Sequence, residues 1–388
     1  MKQILSRATI YRLSFIWAMV GMISLFGRHS FTTGMSNIGA GLSFVILLIT
    51  IIVASFGVVK QADQLAHKLG EPYGTLILTL SIASIEVILI SAVMLGPAES
   101  SSTIGKDSTF SVMMIIMNLV IGLCILLGNL RHKEQEYNAS GALTYFAMII
   151  ILGGTALILP NFVIGKGTGE FTFVQSIAVA IIVFIIYAFF LKYQITDYRH
   201  LYVQPEAGMM DIPYPRNREL KPEEVSFDKD VTPLGTDKSE IFTRSIILIL
   251  MILPIVLLSH NMATVVDFGI AATGLPISLG GVLIAMIVFI PESITAIQAA
   301  RNNEFQRTIN LCHGAFVSTV GLTVPAVLIV GLVSSKPVLF GLSPSEMILF
   351  VLTLLLSLIS FQGRRTSPIL GVAHLGLFAL FVLLIFAG

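Results

Sequence analysis

The chain has 388 residues, of which 55% are hydrophobic and only 12% are Asp, Glu, Lys or Arg, and its formal net charge is +1. Soluble domains carry about 25% charged residues, so this chain has too few charges to cover a globular surface, and lipid is its expected solvent. Without a basic cluster, no nucleic-acid partner is expected. Cys124 and Cys312 both lie in apolar runs and are predicted to be core residues, with neither a disulfide nor a metal site.

Eleven apolar runs follow one another along the chain, each near the length of about 20 residues that a helix needs to cross a bilayer. The first resembles a signal peptide but lacks a clear cleavage site, so we interpret it as a retained span. The predicted spans are residues 12–27, 39–59, 73–96, 109–130, 141–163, 172–191, 243–260, 273–299, 309–333, 345–361 and 368–387. The predicted fold class is therefore all-α, a polytopic membrane protein with about eleven transmembrane helices.

The distribution of Lys and Arg predicts how these spans are oriented, because short loops rich in basic residues stay in the cytoplasm. With the amino terminus inside, every basic residue falls on the cytoplasmic side except Arg28, Lys106, Lys166 and Lys336. The carboxy terminus is then expected to face outward. The compact size and short loops are typical of a protein of the bacterial inner membrane.

A polar segment, residues 192–242, divides the spans into two sets. It is rich in Pro, Asp, Glu and Lys and buries too little apolar area to fold alone. It is predicted to be a solvated cytoplasmic linker, and a regulatory role for its acidic residues stays open. The predicted organisation is an amino-terminal segment with the first helix, a five-helix repeat, the linker and a second five-helix repeat, at residues 1–38, 39–191, 192–242 and 243–388.

The two sets of spans contain a weak internal repeat. Residues 74–90 (GTLILTLSIASIEVILI) align without a gap on residues 280–296 (GGVLIAMIVFIPESITA), and this alignment places Glu86 on Glu292. Because equivalent helices are offset by five spans, an odd number, the two halves are predicted to insert with opposite orientation. Inverted repeats of this kind occur in many secondary transporters, whose sites lie at the repeat interface near the midplane.

Glu86 and Glu292 are the acidic residues predicted to lie well inside the spans, since Glu346 falls at a span edge. A charge at mid-bilayer costs about 2.5–3.5 kcal/mol even on insertion scales, so two in matching positions indicate a function. Protonated glutamates that only bind neighbouring helices are the alternative. Pro291 is expected to free carbonyl groups near Ile287, which would add hard oxygen ligands for Ca²⁺ or Na⁺, although an ordinary packing kink explains it equally well.

Two buried glutamates predict a competition between protons and a cation. Burial disfavours the ionised carboxylate, so the empty pair holds protons, whereas a divalent cation stabilises both anions and expels them. One Ca²⁺ replaces two protons without changing the charge of the site. With alternating access this competition is antiport, with Ca²⁺ as the first candidate for the transported ion and with no resident cofactor.

Six other polar residues are candidate secondary ligands, although each is also explained by helix packing. They are Ser84, Asn118, Ser293, Asn310, His313 and Ser318. For His313, a proton relay and a neutral, hydrogen-bonded core residue are further alternatives.

Three segments carry a family resemblance: HKLGEPYGTLILTLSIASIEVILISAVM, PESITAIQAARNNEFQRTINLCHGAFVSTVGLTVPAVLIVG and GRRTSPILGVAHLGLFAL. They resemble the ChaA-type calcium/proton and sodium/proton antiporters of the cation/calcium exchanger superfamily. The resemblance implies electrochemically driven cation efflux, ten core helices with an extra first span, and a role for Glu86 and Glu292 in binding the cation and carrying protons. Where the wider calcium/proton exchangers have Gly-Asn before each acid, this chain has Ile82-Ala83 and Val288-Phe289, which keeps Na⁺ or K⁺ open as the transported ion.

Two other functional classes compete with transport. An intramembrane enzyme would need an H-E-x-x-H motif or paired aspartates within the spans, and neither is found in the sequence of the predicted spans. A channel would normally need a filter built by oligomerisation, whereas one chain here supplies two halves. The sequence predicts partners among inorganic cations, protons and lipid, and it does not predict an oligomeric state.

Overall fold

The computed structural model of the chain describes residues 6–27, 36–69, 73–95, 102–163, 169–205 and 238–387. Most of the predicted linker, residues 206–237, lies outside the described residues. The described residues form eleven helices. In chain order they are α1 (Arg7–Met22), α2 (Asn37–Leu69), α3 (Tyr73–Met94), α4 (Ile104–His132), α5 (Ala139–Asn161), α6 (Phe173–Ile195), α7 (Lys238–Thr273), α8 (Leu279–Arg301), α9 (Phe305–Ser334), α10 (Pro344–Phe361) and α11 (Pro368–Ala387).

Within the described ranges, ten of these helices are long and apolar enough to cross a membrane. The remaining helix, α3, has 22 residues. Its side chains are described from Ser81 to Met94, which is a shorter apolar stretch. The predicted all-α membrane fold with about eleven helices is therefore confirmed.

Several helices are longer than the apolar runs that predicted them. The fourth helix begins at Ile104 and the seventh continues to Thr273. The longer helices contain Asp107 and Asp267, which the sequence analysis placed outside the spans. A helix continues through polar residues as long as its backbone groups stay paired, whereas hydropathy marks only its apolar part, so these helices extend past the ends of the predicted spans.

The two sets of five helices, α2–α6 and α7–α11, contact each other reciprocally. The first helices of the two sets, α2 and α7, pack together, and the third helix of each set packs on the fifth helix of the other, α4 on α11 and α9 on α6. The second helices, α3 and α8, each contact the third helix of the opposite set. Helix α1 stays outside this arrangement, on α2 and α7, where Trp17 Nε1 donates a 3.1 Å hydrogen bond to the Leu250 carbonyl.

The third helix of each set contains a π-helical segment, Met114–Val120 in α4 and Thr319–Thr323 in α9. In α9 a cause is visible in the sequence, since Pro325 has no N–H to donate to the carbonyl of Gly321 one turn earlier. Single π turns within α-helices often occur at functional sites. Each π segment contacts the second helix of the opposite set, so the wider turns face the helices that carry the glutamates.

Polar side chains connect the ends of α4, α8 and α9 on one side of the molecule. Asn303 ends the turn after α8 with a positive φ of 64°, and Gln135 Nε2 donates to its Oδ1 at 3.2 Å and to the Ala300 carbonyl at 2.7 Å. Gln306 Oε1 accepts from the backbone N–H of Asn138 at 2.7 Å. These bonds explain the polar residues Asn303 and Gln306 between two apolar helices, and they help to fix where α8 ends and α9 begins.

Candidate site between the two halves

Glu86 lies on α3 with none of its surface exposed. Its Oε2 accepts a 2.7 Å hydrogen bond from Thr319 Oγ1, which belongs to the π segment of α9. Thr323, at the other end of that segment, lies close enough to interact with Glu86. Neither the Thr323 hydroxyl nor Glu86 Oε1 meets the geometry of a hydrogen bond with any described residue. Two threonine residues of the opposite half therefore lie beside the carboxyl group of Glu86, and one of them donates a hydrogen bond to it.

Glu292 lies on α8 and is 6% exposed. Neither of its carboxyl oxygens has a hydrogen-bond partner among the described residues. Helices α3 and α8 contact each other, and Glu292 lies near enough to Glu86 for their charges to influence each other, so the two glutamates lie in one region although they belong to different halves of the chain. Of the four carboxyl oxygens, only Glu86 Oε2 has a hydrogen-bond partner within the described part of the chain. Buried carboxylates in such surroundings are strongly disfavoured unless a proton or a cation compensates their charge.

Thr319 was missed by the sequence analysis. The signal in the sequence is a pair of threonines four residues apart, in TVGLT, followed by Pro325. Threonine in a membrane helix ordinarily bonds a carbonyl of its own helix, so its presence alone did not indicate a site. Only the proline that accounts for the wider turn distinguishes these threonines from the others.

Asn118 lies in the π segment of α4, but its side chain binds other helices and not a glutamate. Its Nδ2 donates to Thr353 Oγ1 on α10 at 2.9 Å, and its Oδ1 lies 3.1 Å from Nδ1 of His374 on α11. The other ring nitrogen of His374 lies 3.0 Å from Ser360 Oγ. All four side chains are at most 4% exposed. They form a polar network that joins three helices.

Ser84 and Ser318, two of the other candidates, are not directed at the pair. Ser84 is exposed whereas Glu86 is buried, because residues two apart on an α-helix point about 200° apart. Ser318 Oγ donates at 2.7 Å to the carbonyl of Ala315 in its own helix.

The segment around Pro291 remains α-helical. Ser293 Oγ donates to the Phe289 carbonyl at 2.7 Å, and Thr295 Oγ1 donates to the Pro291 carbonyl at 2.9 Å. In this structure the two hydroxyls beside Glu292 therefore bind the backbone of their own helix.

Asn310 lies near the start of α9 and contacts the segment that follows α6. Its Nδ2 donates to the Tyr202 carbonyl at 2.6 Å, and its Oδ1 accepts from Gln306 Nε2 at 3.0 Å. The backbone N–H of Gln306 in turn donates to Gln204 Oε1 at 2.8 Å. The start of the predicted linker is thus held against α9.

His313 is fully buried on α9. Its ring packs against Tyr145, Phe146 and Phe361, with ring centroids 6.2, 4.8 and 5.0 Å away. The carbonyl of Ile309 lies beside it, yet neither ring nitrogen makes a well-aligned hydrogen bond with a described residue. The ring therefore lies among aromatic side chains in the core, and its role as a proton relay or as a hydrogen-bonded core histidine stays a prediction.

Within the described ranges, no group of three or more His, Cys, Asp or Glu residues is arranged to hold a metal ion. The glutamate pair and Thr319 instead offer carboxylate and hydroxyl oxygens, which are the hard ligands that alkali and alkaline-earth cations prefer. It lies where second helices of the two halves meet.

The comparison of the sequence with known protein families agrees with this arrangement. Residues 39–196 and 244–387 match the family described as sodium/calcium exchanger protein. The chain belongs to this family. The unmatched segment between the two ranges lies in the predicted linker, and the predicted membership in the cation/calcium exchanger superfamily is confirmed.

Three proteins illustrate the similarity. The sodium-potassium/proton antiporter ChaA of Escherichia coli is 32% identical over 343 residues, 88% of each chain. A Ca²⁺/H⁺ antiporter of Synechocystis is 24% identical over 273 residues, 69% of this chain and 71% of its own. The solved structure of native YfkE shares the fold, with a TM-score of 0.70 and 16% identity. The match covers 97% of this chain and 100% of that chain.

Proposed function

We propose that this member of the sodium/calcium exchanger family is a cation/proton antiporter in which one cation and protons compete for Glu86 and Glu292. The observation that carries the proposal is the burial of both carboxyl groups on two contacting helices, with three oxygens that lack hydrogen-bond partners among the described residues. The antiporters among its relatives support the same class of activity. An enzymatic activity is not part of the proposal.

The chemistry follows from charge compensation. With a proton on each carboxyl group the pair is neutral and is stable away from water. A cation that enters between the carboxylates replaces the protons, and a divalent ion leaves the net charge of the site unchanged. The Thr319 hydroxyl can donate to a carboxylate or present its oxygen to a cation, so it serves both loaded forms of the site.

Ca²⁺ is the first candidate for the transported ion. It takes about 6–8 oxygen ligands, and two bidentate carboxylates with the hydroxyls of Thr319 and Thr323 supply about the lower of those numbers. The similarity to a Ca²⁺/H⁺ antiporter supports this choice.

Na⁺ or K⁺ is the second candidate, and two observations favour it. The relative with 32% identity is named as a sodium-potassium/proton antiporter. In addition, the amide oxygen of Asn118 is held by His374 at 3.1 Å, so this oxygen does not complete a calcium shell unless the network opens.

We place the protein in a bacterial inner membrane, with the amino terminus and the linker in the cytoplasm and the carboxy terminus outside. The ten described candidate spans support an integral membrane protein, and the orientation rests on the distribution of basic residues.

The test is proton movement in proteoliposomes that hold a pH gradient, with Ca²⁺, Na⁺, K⁺ and Mg²⁺ added separately. The variants are Glu86→Gln and Glu292→Gln. The matched control is Glu304→Gln, which removes a carboxylate whose side chain is 43% exposed and paired with Arg307 at 3.2 Å in the turn before α9. We expect one cation to dissipate the gradient in the parent and the control, and neither buried variant to respond.

Dissipation that survives in both buried variants would remove the glutamates from the mechanism. Cation flux without proton movement would favour a channel. The cation that elicits the response decides between Ca²⁺ and the monovalent ions.

A further inference from the structure

A cavity of about 240 Å³ lies between α4, α8, α10 and α11. The helices α4, α8 and α10 line it with their first two turns, and α11 lines it with its last two. The basic turns that contain Arg301 and Arg307 lie at the other end of α8, on the side predicted to be cytoplasmic. The cavity is therefore expected at the outer boundary of the membrane, and the proposed function uses none of its residues.

Part of the cavity lining is apolar. The rings of Phe110 and Phe381 lie edge to face, with centroids 5.7 Å apart, and Leu384 and Ile385 continue the apolar lining along the last turns of α11. Leu384 is 38% exposed, and α11 is a candidate membrane span. The apolar part of the cavity is thus continuous with a helix surface that faces lipid.

The polar part of the lining carries a net negative charge. Asp107 of α4 and Glu346 of α10 both line the cavity. Lys106 Nζ lies 3.2 Å from Asp107 Oδ1 and 3.1 Å from Glu346 Oε2, so two carboxylates share one ammonium group among the described residues. The side chains of Asp107 and Glu346 are only 5% and 21% exposed. One negative charge is therefore held largely away from water, which is unfavourable unless a cation compensates it.

The charge and the apolar surface together define the class of ligand. A primary ammonium group has three N–H donors, which match the carboxylates, whereas an inorganic cation makes no use of the apolar lining. Hydroxyl groups of Ser278, Ser343 and Ser345 complete the polar lining, and such groups can donate hydrogen bonds to a phosphate. Pockets for whole drug-sized ligands have about 300–1,000 Å³, so this smaller cavity suits the head group of a lipid whose chains remain in the bilayer.

We propose that the cavity binds an aminophospholipid of the outward-facing leaflet. Its ammonium group lies at Asp107 and Glu346 and supplies the positive charge that Lys106 alone does not. The first part of an acyl chain lies on Phe381 and Leu384. The lipid therefore joins the outer ends of α4, α10 and α11, next to the close contact between Asp107 and Gly281 of the helix that carries Glu292.

The first test measures lipid retention by native mass spectrometry of the full chain purified in detergent. Dioleoyl phosphatidylethanolamine and dioleoyl phosphatidylcholine are added at equal concentration, since they differ only in the head-group amine. We expect the parent to retain the ethanolamine lipid in preference by about threefold or more, as for a partly exposed ion pair. The preference is expected to disappear in Asp107→Asn and Glu346→Gln.

The variants are chosen to keep the fold. Glu346 Oε2 accepts from the Ser343 backbone N–H at 2.7 Å at the start of α10, and the amide oxygen of E346Q can accept the same bond. Glu304→Gln is the matched control, because it removes a carboxylate in the turn before α9, outside the cavity lining, and it is expected to keep the preference.

Equal retention of the two lipids by the parent overturns the proposal. A preference that survives in both D107N and E346Q also overturns it, because the carboxylates then do not hold the amine. If Ca²⁺ abolishes the preference in the parent, an inorganic cation occupies the carboxylates and the proposal is wrong. None of these outcomes depends on whether the protein exchanges cations for protons.

A second test fills the apolar part of the cavity and leaves its charges unchanged. Leu384→Trp adds a large ring to the lining, and Leu383→Trp adds the same ring at the adjacent position, which is 57% exposed and does not line the cavity. We expect L384W to retain less of the ethanolamine lipid than L383W and the parent. Equal retention by L384W and L383W overturns the placement of the lipid in this cavity, even if D107N fails to fold.

Discussion

The two glutamates occupy matching positions in the two halves, yet their surroundings differ. Glu86 accepts a hydrogen bond of 2.7 Å from Thr319, whereas Glu292 has no hydrogen-bond partner among the described residues. The scaffold is reciprocal, because each glutamate helix contacts the π segment of the opposite half. The difference arises from what those π segments carry.

The π segment that faces α3 offers threonine hydroxyls, and the one that faces α8 is Met114–Val120, with the sequence MIIMNLV. Its polar residue, Asn118, is bound to Thr353 and His374. A repeated backbone therefore holds two chemically unequal carboxyl groups. We infer that Glu292 depends on a proton or a cation for compensation more than Glu86 does, because buried carboxyl groups without protein partners are the costlier ones.

The largest effect is expected from Thr319→Val, which makes the surroundings of Glu86 resemble those of Glu292. A hydrogen bond to a charged group contributes about 1.5–3 kcal/mol, and each 1.4 kcal/mol is a tenfold change. We expect the exchange rate at subsaturating cation to fall by about 10- to 100-fold. The measurement is the initial rate of cation-dependent proton efflux, with protein folding checked by size-exclusion chromatography.

Thr319→Ser keeps the hydroxyl and is expected to restore most of the rate. Met114→Leu is the control in the opposite π segment, where no hydrogen bond to a glutamate exists among the described residues, and it is expected to change the rate by less than about twofold. An equal loss in both π segments would show that the two glutamates are supported alike, contrary to the structure.

The reciprocal fold was accessible from the sequence because apolar length, basic loops and the alignment of residues 74–90 with 280–296 all report on whole helices. The site was accessible only in part. Glu86 and Glu292 are conspicuous as charges in apolar runs, whereas Thr319 is one of many hydroxyl residues, and its contact depends on how α9 packs against α3.

The hydroxyl residues near the glutamates and Thr319 also show what the sequence does not predict. Ser293 and Thr295 lie beside Glu292 and Ser318 lies beside Thr319, but their hydroxyls bind carbonyls of their own helices. Sequence gives the position of a hydroxyl along a helix. It does not give the choice between a backbone carbonyl and a neighbouring helix, because that choice depends on the packing of distant segments.

The next effect concerns the packing that places the two glutamate helices. A Cβ atom added at Gly281 of α8 would lie 2.6 Å from backbone atoms of Asp107 and Ser108 in α4, and a backbone yields little. Gly281→Ala is therefore expected to destabilise the protein by about 1–3 kcal/mol. Thermal unfolding in detergent measures it.

Gly321→Ala provides the comparison in the other half. The added Cβ would lie closest to Cγ of Tyr187 and 2.8 Å from its Cβ, and these atoms are held close to the backbone of α6, so we expect a loss of stability of similar size. A Cβ atom added at Gly376 would have no other atom within 4 Å. Gly376→Ala is therefore expected to be neutral or stabilising, since alanine favours the helix by up to about 1 kcal/mol over glycine. A loss in G321A no larger than in G376A would contradict the expected clash with Tyr187.

A further prediction concerns Asn118. If its amide serves the network with Thr353 and His374, Asn118→Ala leaves two buried groups without a partner and lowers stability by about 1–3 kcal/mol. The half-saturating cation concentration is then expected to stay within about twofold, because the glutamates are untouched. A tenfold loss of cation affinity at unchanged stability would instead assign Asn118 to the cation and make the surroundings of the two glutamates more alike.

The smallest effects are expected from Ser293→Ala and Thr295→Val beside Glu292. Both hydroxyls donate to carbonyls of α8 at 2.7 and 2.9 Å, and such bonds back to the helix contribute little to its stability. We expect exchange rates within about twofold of the parent, in contrast to the loss from Thr319→Val. If Ser293→Ala instead lowered the rate as far as Thr319→Val does, the serine would have to leave its carbonyl during the cycle and bind the ion at Glu292. The missing partner of that carboxyl group would then come from its own helix, and the two glutamates would be equal in the loaded state.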